Sequence, residues 1–346
     1  MEKAERFRGC FFGGAVGDAL GYLLEKLDLK TIHQRYGTHG LRTVLALPEH
    51  GNKSIISDDT HLSLFTADGI LWAAHEDISF EQGLYQSYMR WYYTQTERII
   101  SPEQADWMKR QQHENRWNYD IMGEEKVFAR RYPRKNCLVT LAAGAFTPGK
   151  AAKNTCKGSS VLRSAPIGLY FSDDIEKAFA VGCCSGWITH GSPTAYLAAG
   201  FLSALIASLA QGGELRIALA EGFRLLQQKP EGVSLLKQLL HAVDEAVSDH
   251  NPIHSIQTLG LGWSADEALS IALYCLLKNN SLREAVIMAC NQDGDSDTCG
   301  AVCGSIAGTL YGEKAVPEHW KKNLECHDIL DTLAQALCEA QQEKTA

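Results

Sequence analysis

The sequence predicts an all-α protein. No stretch alternates apolar and polar residues with the period of two that a half-buried strand needs. Glycines recur every four residues in two long apolar segments, Gly9, Gly13, Gly17 and Gly21 near the start and Gly300, Gly304, Gly308 and Gly312 near the end, the spacing of one ridge on an α-helix. Two oxygen-rich clusters each head an apolar helical run: Ser57, Asp58, Asp59 and Thr60 in one, Asp293, Asp295, Ser296, Asp297 and Thr298 in the other.

With 346 residues, 45% of them hydrophobic, the chain can bury a large core. A single domain is expected over residues 1–346, because the candidate site draws on both ends of the chain. The formal net charge of -8 and the lack of any long Lys/Arg block argue against a nucleic-acid-binding surface, since neutralising phosphates needs a basic face. The eleven cysteines are odd in number, two are adjacent (Cys183 and Cys184), and no two stand in C-x-x-C spacing. Several, such as Cys10, Cys275, Cys303 and Cys338, lie in apolar helical runs, where a free thiol behaves as a small hydrophobe. A reducing, cytoplasmic setting fits them best. The N-terminal apolar run is cut by Asp18 and is too short to span a membrane, and the acids around it do not suit a signal peptide.

Residues 6–26 read as a helix. Its four glycines cost roughly 3–4 kcal/mol relative to alanines, so close approach of another backbone is expected to offset them. If the two glycine-ridged helices pack on each other, Asp18 and Glu25 come near the second acidic cluster; two ordinary buried helices without a shared site are the plainer alternative. Residues 27–56 read as loop and short turns, punctuated by Gly37, Gly40, Pro48 and Gly51. Ser57 is a good N-cap for the helix after it, whose buried stripe is Leu62, Phe65, Gly69 and Trp72. Another helix covers 79–95.

Residues 97–135 are polar and hold Trp107, Trp117 and Tyr119. They are expected to be an irregular surface excursion, serving as a lid, as a docking surface, or as nothing more than solvated chain. A short helix is expected over 136–145, then a loop over 154–160 whose small residues could present N–H groups to a phosphate. Further helices are expected at 174–188, 194–211, 214–228, 232–249, 265–278 and 281–292.

Carboxylate and hydroxyl oxygens are the donors that Mg²⁺ and Mn²⁺ prefer. Adjacent Asp58 and Asp59 can bridge two ions or grip one from two sides, and Asp295 and Asp297 flank Ser296 on a turn. The competing reading is N-capping and surface acids. The twelve-residue ligand spacing of an EF-hand is absent. A paired-metal site with few free bases suggests hydrolysis.

Several segments together resemble one family, the ADP-ribosylglycohydrolases, which includes the dinitrogenase reductase-activating glycohydrolases of bacteria. They are 17–21 (GDALG) with Glu25, 57–60 (SDDT), 131–138 (RYPRKNCL), 157–168 (KGSSVLRSAPIG), 189–193 (THGSP) with 196–200 (YLAAG), 260–263 (GLGW), and 293–298 (DGDSDT) with Gly300 and Ala301. The resemblance implies an all-α fold with two Mg²⁺ or Mn²⁺ ions at the base of an ADP-ribose cleft. It implies Ser57, Asp58, Asp59, Asp295, Asp297 and Thr298 as metal ligands, and Asp297 or Glu25 as the group that handles protons. It implies substrate contacts from Lys157, Gly158, Ser159, Ser160, Val161, Leu162 and Arg163, which match the loop around the distal ribose and phosphates, from His190, and from Trp263 near the adenine. Asp293 matches no family ligand and is left for capping or solvent.

The chain departs from the family in the bulk of Ser159, Ser160 and Val161, in Ser192 where a histidine is frequent, and in Leu23 where a proline is frequent. None of these removes a metal ligand. The activity implied is hydrolysis of ADP-ribose from a modified protein, with arginine as the linked side chain. The alternatives are another ADP-ribose linkage (serine, O-acetyl-ADP-ribose or nucleic acid), or a binding protein that blocks an ADP-ribosyltransferase toxin.

Overall fold

The computed structural model describes residues 1–96, 108, 110, 111, 116–143 and 155–345. Its scaffold is a pair of glycine-ridged helices. α1 (Lys3–Gly21) and α14 (Ser296–Tyr311) run antiparallel at backbone contact. A Cβ on Gly9 would overlap the carbonyl oxygen of Gly308, one on Gly13 that of Gly304, and one on Gly17 that of Gly300. The close approach expected from the spacing is therefore present, and it brings the two chain ends together. Because the pair is antiparallel, the C-terminal end of α1 meets the N-terminal end of α14, with Gly21 against Ser296.

Around this pair lie α2 (Leu29–Tyr36), α3 (Asp58–Glu76), α4 (Phe80–Thr96), α5 (Lys135–Ala142), α6 (Ala165–Tyr170), α7 (Ile175–Trp187), α8 (Pro193–Ala210), α9 (Leu215–Gln227), α10 (Val233–Val247), α11 (Pro252–Leu259), α12 (Ala265–Lys278), α13 (Leu282–Cys290), α15 (Glu318–Lys321) and α16 (His327–Thr345). Among the described residues β-pairing is limited to three isolated bridges, so the all-α expectation holds. α8 is long and apolar enough to cross a membrane, but 89% of it is buried inside the protein. It packs on α6, α7 and α9, and α16 closes over α1, α3 and α6.

Two expectations need correction. Residues 27–56 hold a helix, α2, rather than only loop and turns. Asp28 caps it by accepting a hydrogen bond from Thr31 N at 2.7 Å, and Ile32 on it is fully buried. An eight-residue helix has no stability of its own, and its second cap comes from far away: Asp293 Oδ1 accepts from Leu29 N at 2.6 Å. Capping, the fate expected for Asp293, is what the structure shows.

The excursion at 97–135 is not simply solvated. Trp107 and much of that stretch fall outside the described residues. In the described part Tyr119, Ile121, Met122 and Val127 are buried. Tyr119 Oη donates to Asp68 Oδ1 at 2.9 Å, and Gln111 Nε2 donates to Asp68 Oδ2 at 2.7 Å. Asp68 is also paired with Arg90 at 2.7 Å and accepts from Ser87. A buried carboxylate needs that many donors to offset its desolvation. The polar excursion supplies two of them.

Backbone contact between α1 and α14 makes a definite prediction. Gly304→Ala places a methyl into the Gly13 carbonyl, and overpacking of this kind costs about 3 kcal/mol. Gly37→Ala meets open space and pays only for its positive φ of 86°, about 1 kcal/mol. Urea denaturation should show the larger loss for Gly304→Ala; equal losses would mean the two helices do not touch as described.

Candidate metal centre

Three helix ends converge at one point. Asp18, buried on α1, accepts hydrogen bonds through Oδ2 from Ser57 N at 2.9 Å, from Thr60 N at 3.2 Å and from the Thr60 hydroxyl. This carboxylate docks the N-terminus of α3 on α1. Ser57 caps the same helix, its Oγ accepting from Asp59 N at 3.1 Å. At the other cluster Asp295 N donates to Leu261 O at 2.8 Å. That contact requires Gly262 at φ 78°, where a Cβ would also strike Cys299 Sγ. The N-terminal ends of α3 and α14 thus face each other across the end of α1, and their partial positive charge favours anionic side chains there.

The carboxylates are nearly waterless. Asp58 is 3%, Asp59 1%, Asp295 0% and Asp297 3% exposed. Thr298 Oγ1 donates to Asp59 Oδ2 at 2.8 Å, joining the two clusters directly. Ligand atoms of Glu25, Asp295 and Asp297 lie within 4.8 Å of one another, close enough to hold one metal ion. Glu25 follows α1, so the glycine ridge does bring it to the second cluster.

Arg134, just before α5, lies among these acids. Its Nη2 donates to Asp295 Oδ1 at 2.8 Å and to Thr298 Oγ1 at 2.9 Å, and stands 3.8 Å from Asp297 Oδ1. Its Nη1 is 3.9 Å from Glu25 Oε1, and its backbone N donates to Asp58 Oδ2 at 3.2 Å. The sequence places Arg134 in a family-like segment without giving it a role.

One guanidinium does not balance this crowd of acids. Burial, opposed by Arg134, pushes Asp58 up to about 7 and Asp59 well above the ordinary aspartate range. Burial, with Asp59 and Asp295 beside it, does the same to Asp297, and burial raises Glu25. Asp59 Oδ1, Asp295 Oδ2 and Asp18 Oδ1 are buried without any hydrogen-bond partner, as is Arg134 Nε. Orphaned carboxylate oxygens, an all-oxygen donor set and crowded like charges are what a hard divalent cation would satisfy. The residues fit such a cation.

The remaining sequence-picked residues fall into two groups. Gly158 abuts the centre: a Cβ there would meet Thr298 Cγ2 at 2.8 Å. Lys157 is exposed and pairs with Ser264 in an isolated bridge, which sets half-buried Trp263 beside the same loop. By contrast, Ser159, Ser160, Val161, Leu162 and Arg163 are at most 1% exposed. Arg163 spends its Nη2 on Ser185 O at 2.6 Å and Thr189 Oγ1 at 2.7 Å, with its guanidinium over the Tyr88 ring. These side chains shape the loop from behind; as substrate contacts they are not presented at a surface.

His190 is also fully buried. Its Nε2 lies 3.0 Å from Asn136 Nδ2 and 3.1 Å from Ser159 Oγ, and its Nδ1 lies 2.8 Å from Thr189 Oγ1. Burial and Arg163 hold it well below the usual histidine range, hence neutral. It ties α5 to the 158–160 turn. Asp18 and Arg134 are the two residues of the centre that sequence reasoning left without a role. The place of Asp18 next to Gly17 on the ridge helix is the signal for the first; no local signal marks the second.

An all-α scaffold whose helix ends gather carboxylates into a buried, all-oxygen pocket defines a class: helical proteins with a centre suited to a hard cation. The sequence profile described as ADP-ribosylglycohydrolase matches residues 1–346. The chain is 24% identical over 339 residues to the ADP-ribosylarginine hydrolase Tri1 of Serratia proteamaculans, covering 97% of this chain and 80% of that protein. It is 28% identical over 376 residues to the ADP-ribosylhydrolase ARH3 of Homo sapiens, covering 96% and 92%. A solved structure titled ADP-ribosylglycohydrolase-related protein complex shares the fold, with a TM-score of 0.64 at 22% identity, covering 98% of this chain and 99% of that one. The chain belongs to the ADP-ribosylglycohydrolase family, a family of hydrolases.

Two predictions follow from the site's geometry. Asp293→Ala removes a cap on α2 and should lower stability by about 1 kcal/mol while leaving Mn²⁺ binding unchanged, because Asp293 points at Leu29 N and not at the centre. Lost Mn²⁺ binding would make it a ligand. For the metal-free chain, a folded-state value for Asp58 of about 7 against the ordinary 3.8 means the folded state holds the proton more tightly. Stability then falls as pH rises across that window. In chelator, Asp58→Asn should flatten the decline of Tm with pH; an unchanged slope would show that Asp58 is not protonated there.

Proposed function

We propose that the chain hydrolyses the bond between ADP-ribose and an arginine guanidinium on a protein, with divalent cations as cofactor. The observation that carries this reading is the meeting of Glu25 with Asp295 and Asp297 at one point, in a chain whose match to an ADP-ribosylarginine hydrolase runs over nearly its whole length. The ligand set proposed is Ser57, Asp58, Asp59, Asp295, Asp297 and Thr298, with Mg²⁺ or Mn²⁺ bound. Such ions lower the pKa of bound water and grip ribose hydroxyls.

The chain's own residues supply the rest. The crowded carboxylates stabilise positive charge developing at the anomeric carbon. Water adds its oxygen to that carbon, the carbon–nitrogen bond breaks, and the guanidine leaves with its electron pair. The water proton passes to Glu25 or Asp297, carboxylates brought together at the centre, and from there to the leaving guanidine. Gly158 lets the 157–160 loop approach Thr298, and Lys157 offers a cation to the diphosphate. His190 acts behind the loop by holding it to Asn136.

A reducing, cytoplasmic setting is proposed as well, supported by eleven unpaired cysteines. No observation on the described residues favours the toxin-blocking reading over turnover.

The test is ADP-ribose release from an arginine-ADP-ribosylated protein with Mg²⁺, beside a serine-linked substrate. Release from the arginine substrate is expected, with Asp297→Ala slower by roughly 10²–10⁴-fold. Release from the serine substrate alone would overturn the linkage, and release from neither would overturn the activity.

A further inference from the structure

Helix α10 (Val233–Val247) is apolar over more of its circumference than the protein covers. Its inward side chains Leu235, Leu239 and Ala242 are at most 1% exposed. On the neighbouring strip of its surface Val233, Leu240 and Val247 stand in one row, and they are 53%, 42% and 83% exposed. Leu236 and Val243, half-buried, fall between them. A single exposed apolar residue needs no explanation. A row that alternates steps of three and four residues is different, because it is the a/d seam by which one helix packs on another.

We propose that this row is a self-association surface, on which α10 of one chain packs antiparallel against α10 of a second copy to form a reversible homodimer. The inference is independent of the metal-centre reading.

Charge complementarity selects the occupant. Exposed Lys237 and Asp244 lie along one flank of the row, on either side of Leu240. A two-fold axis beside Leu240, perpendicular to the helices, sets this flank against its own copy with the direction reversed. Lys237 of each chain then comes to within about 1.5 Å of the axial level of the partner's Asp244, at 1.5 Å of rise per residue. Two opposite-charge pairs form at once, which is the self-complementarity that an isologous interface requires. A parallel pair would turn the flank toward the other helix's opposite, apolar side and leave both charges without a partner. The antiparallel pair also sets each helix's positive end beside the other's negative end.

Size sets the strength. A helix of 15 residues is about 22 Å long. One pair of such helices falls short of the ~800 Å² per partner of a standard interface, so the dimer forms and separates with concentration. Its place is an outer layer: α10 packs on α12, and α12 packs on α14, which carries Asp297. Pairing through α10 therefore leaves the acidic centre uncovered.

The test is sedimentation velocity on the full-length chain from low to high micromolar concentration. Wild type should pass from monomer to dimer over that range. Leu240→Asp and Val247→Lys put a charge into the row and should stay monomeric throughout, with circular dichroism confirming that each is folded. Lys237→Asp and Asp244→Lys each set like charges across the pair and should weaken association several-fold. The double variant restores opposite charges and should return association to the wild-type value, and a mixture of the two single variants should associate more tightly than either alone. Wild type that remains monomeric at the highest concentration would overturn the inference, and so would a dimer that Leu240→Asp leaves intact. Charge reversals without effect, or a double variant that does not recover, would overturn the antiparallel pairing. If the row variants do not fold, the wild-type series and the charge reversals decide.

Discussion

The structure depends on backbone contact between α1 and α14. Two helices without side chains at their shared ridge can approach until each carbonyl fills the space a Cβ would need on the other. That contact joins residues almost 300 positions apart in sequence and sets the end of α1 against the start of α14. Glu25, Asp295 and Asp297 meet only because of it. The glycines are unfavourable in each helix taken alone, so the gain must come from their packing against each other.

Onto this pair the protein loads negative charge at a buried point. Asp18 spends its carboxylate on seating α3, while Asp58, Asp59, Asp295 and Asp297 stay crowded and largely dry. Helix N-termini and Arg134 ease the repulsion without cancelling it, and several of these carboxylates are pushed toward their neutral forms. Surplus negative charge and unpartnered oxygens at a buried point make the centre suited to a hard cation, for electrostatic reasons.

Much of this is legible in the sequence. The glycine step and the Ser57 cap are local patterns with local causes, and both are seen. The helices at 174–188 and 265–278 emerge within a residue or so of their expected bounds. Helix α2 was hidden because half of its capping comes from Asp293, 264 residues away. The excursion at 97–135 read as polar surface because its buried polar groups answer a carboxylate, Asp68, on another helix. His190 and Arg163 carry family-like positions, yet their side chains turn inward to hold the loop rather than outward.

By itself the sequence determined the helical class, the paired ridge and the oxygen-rich character of the site, because periodicity, capping and donor chemistry are properties of short segments. The tertiary structure decided which acids share one point, that Asp18 is an anchor and Asp293 a cap, and that Arg134 stands among the carboxylates. Those are facts about distance between residues remote in the chain, and distance across a fold is set by packing rather than by local pattern.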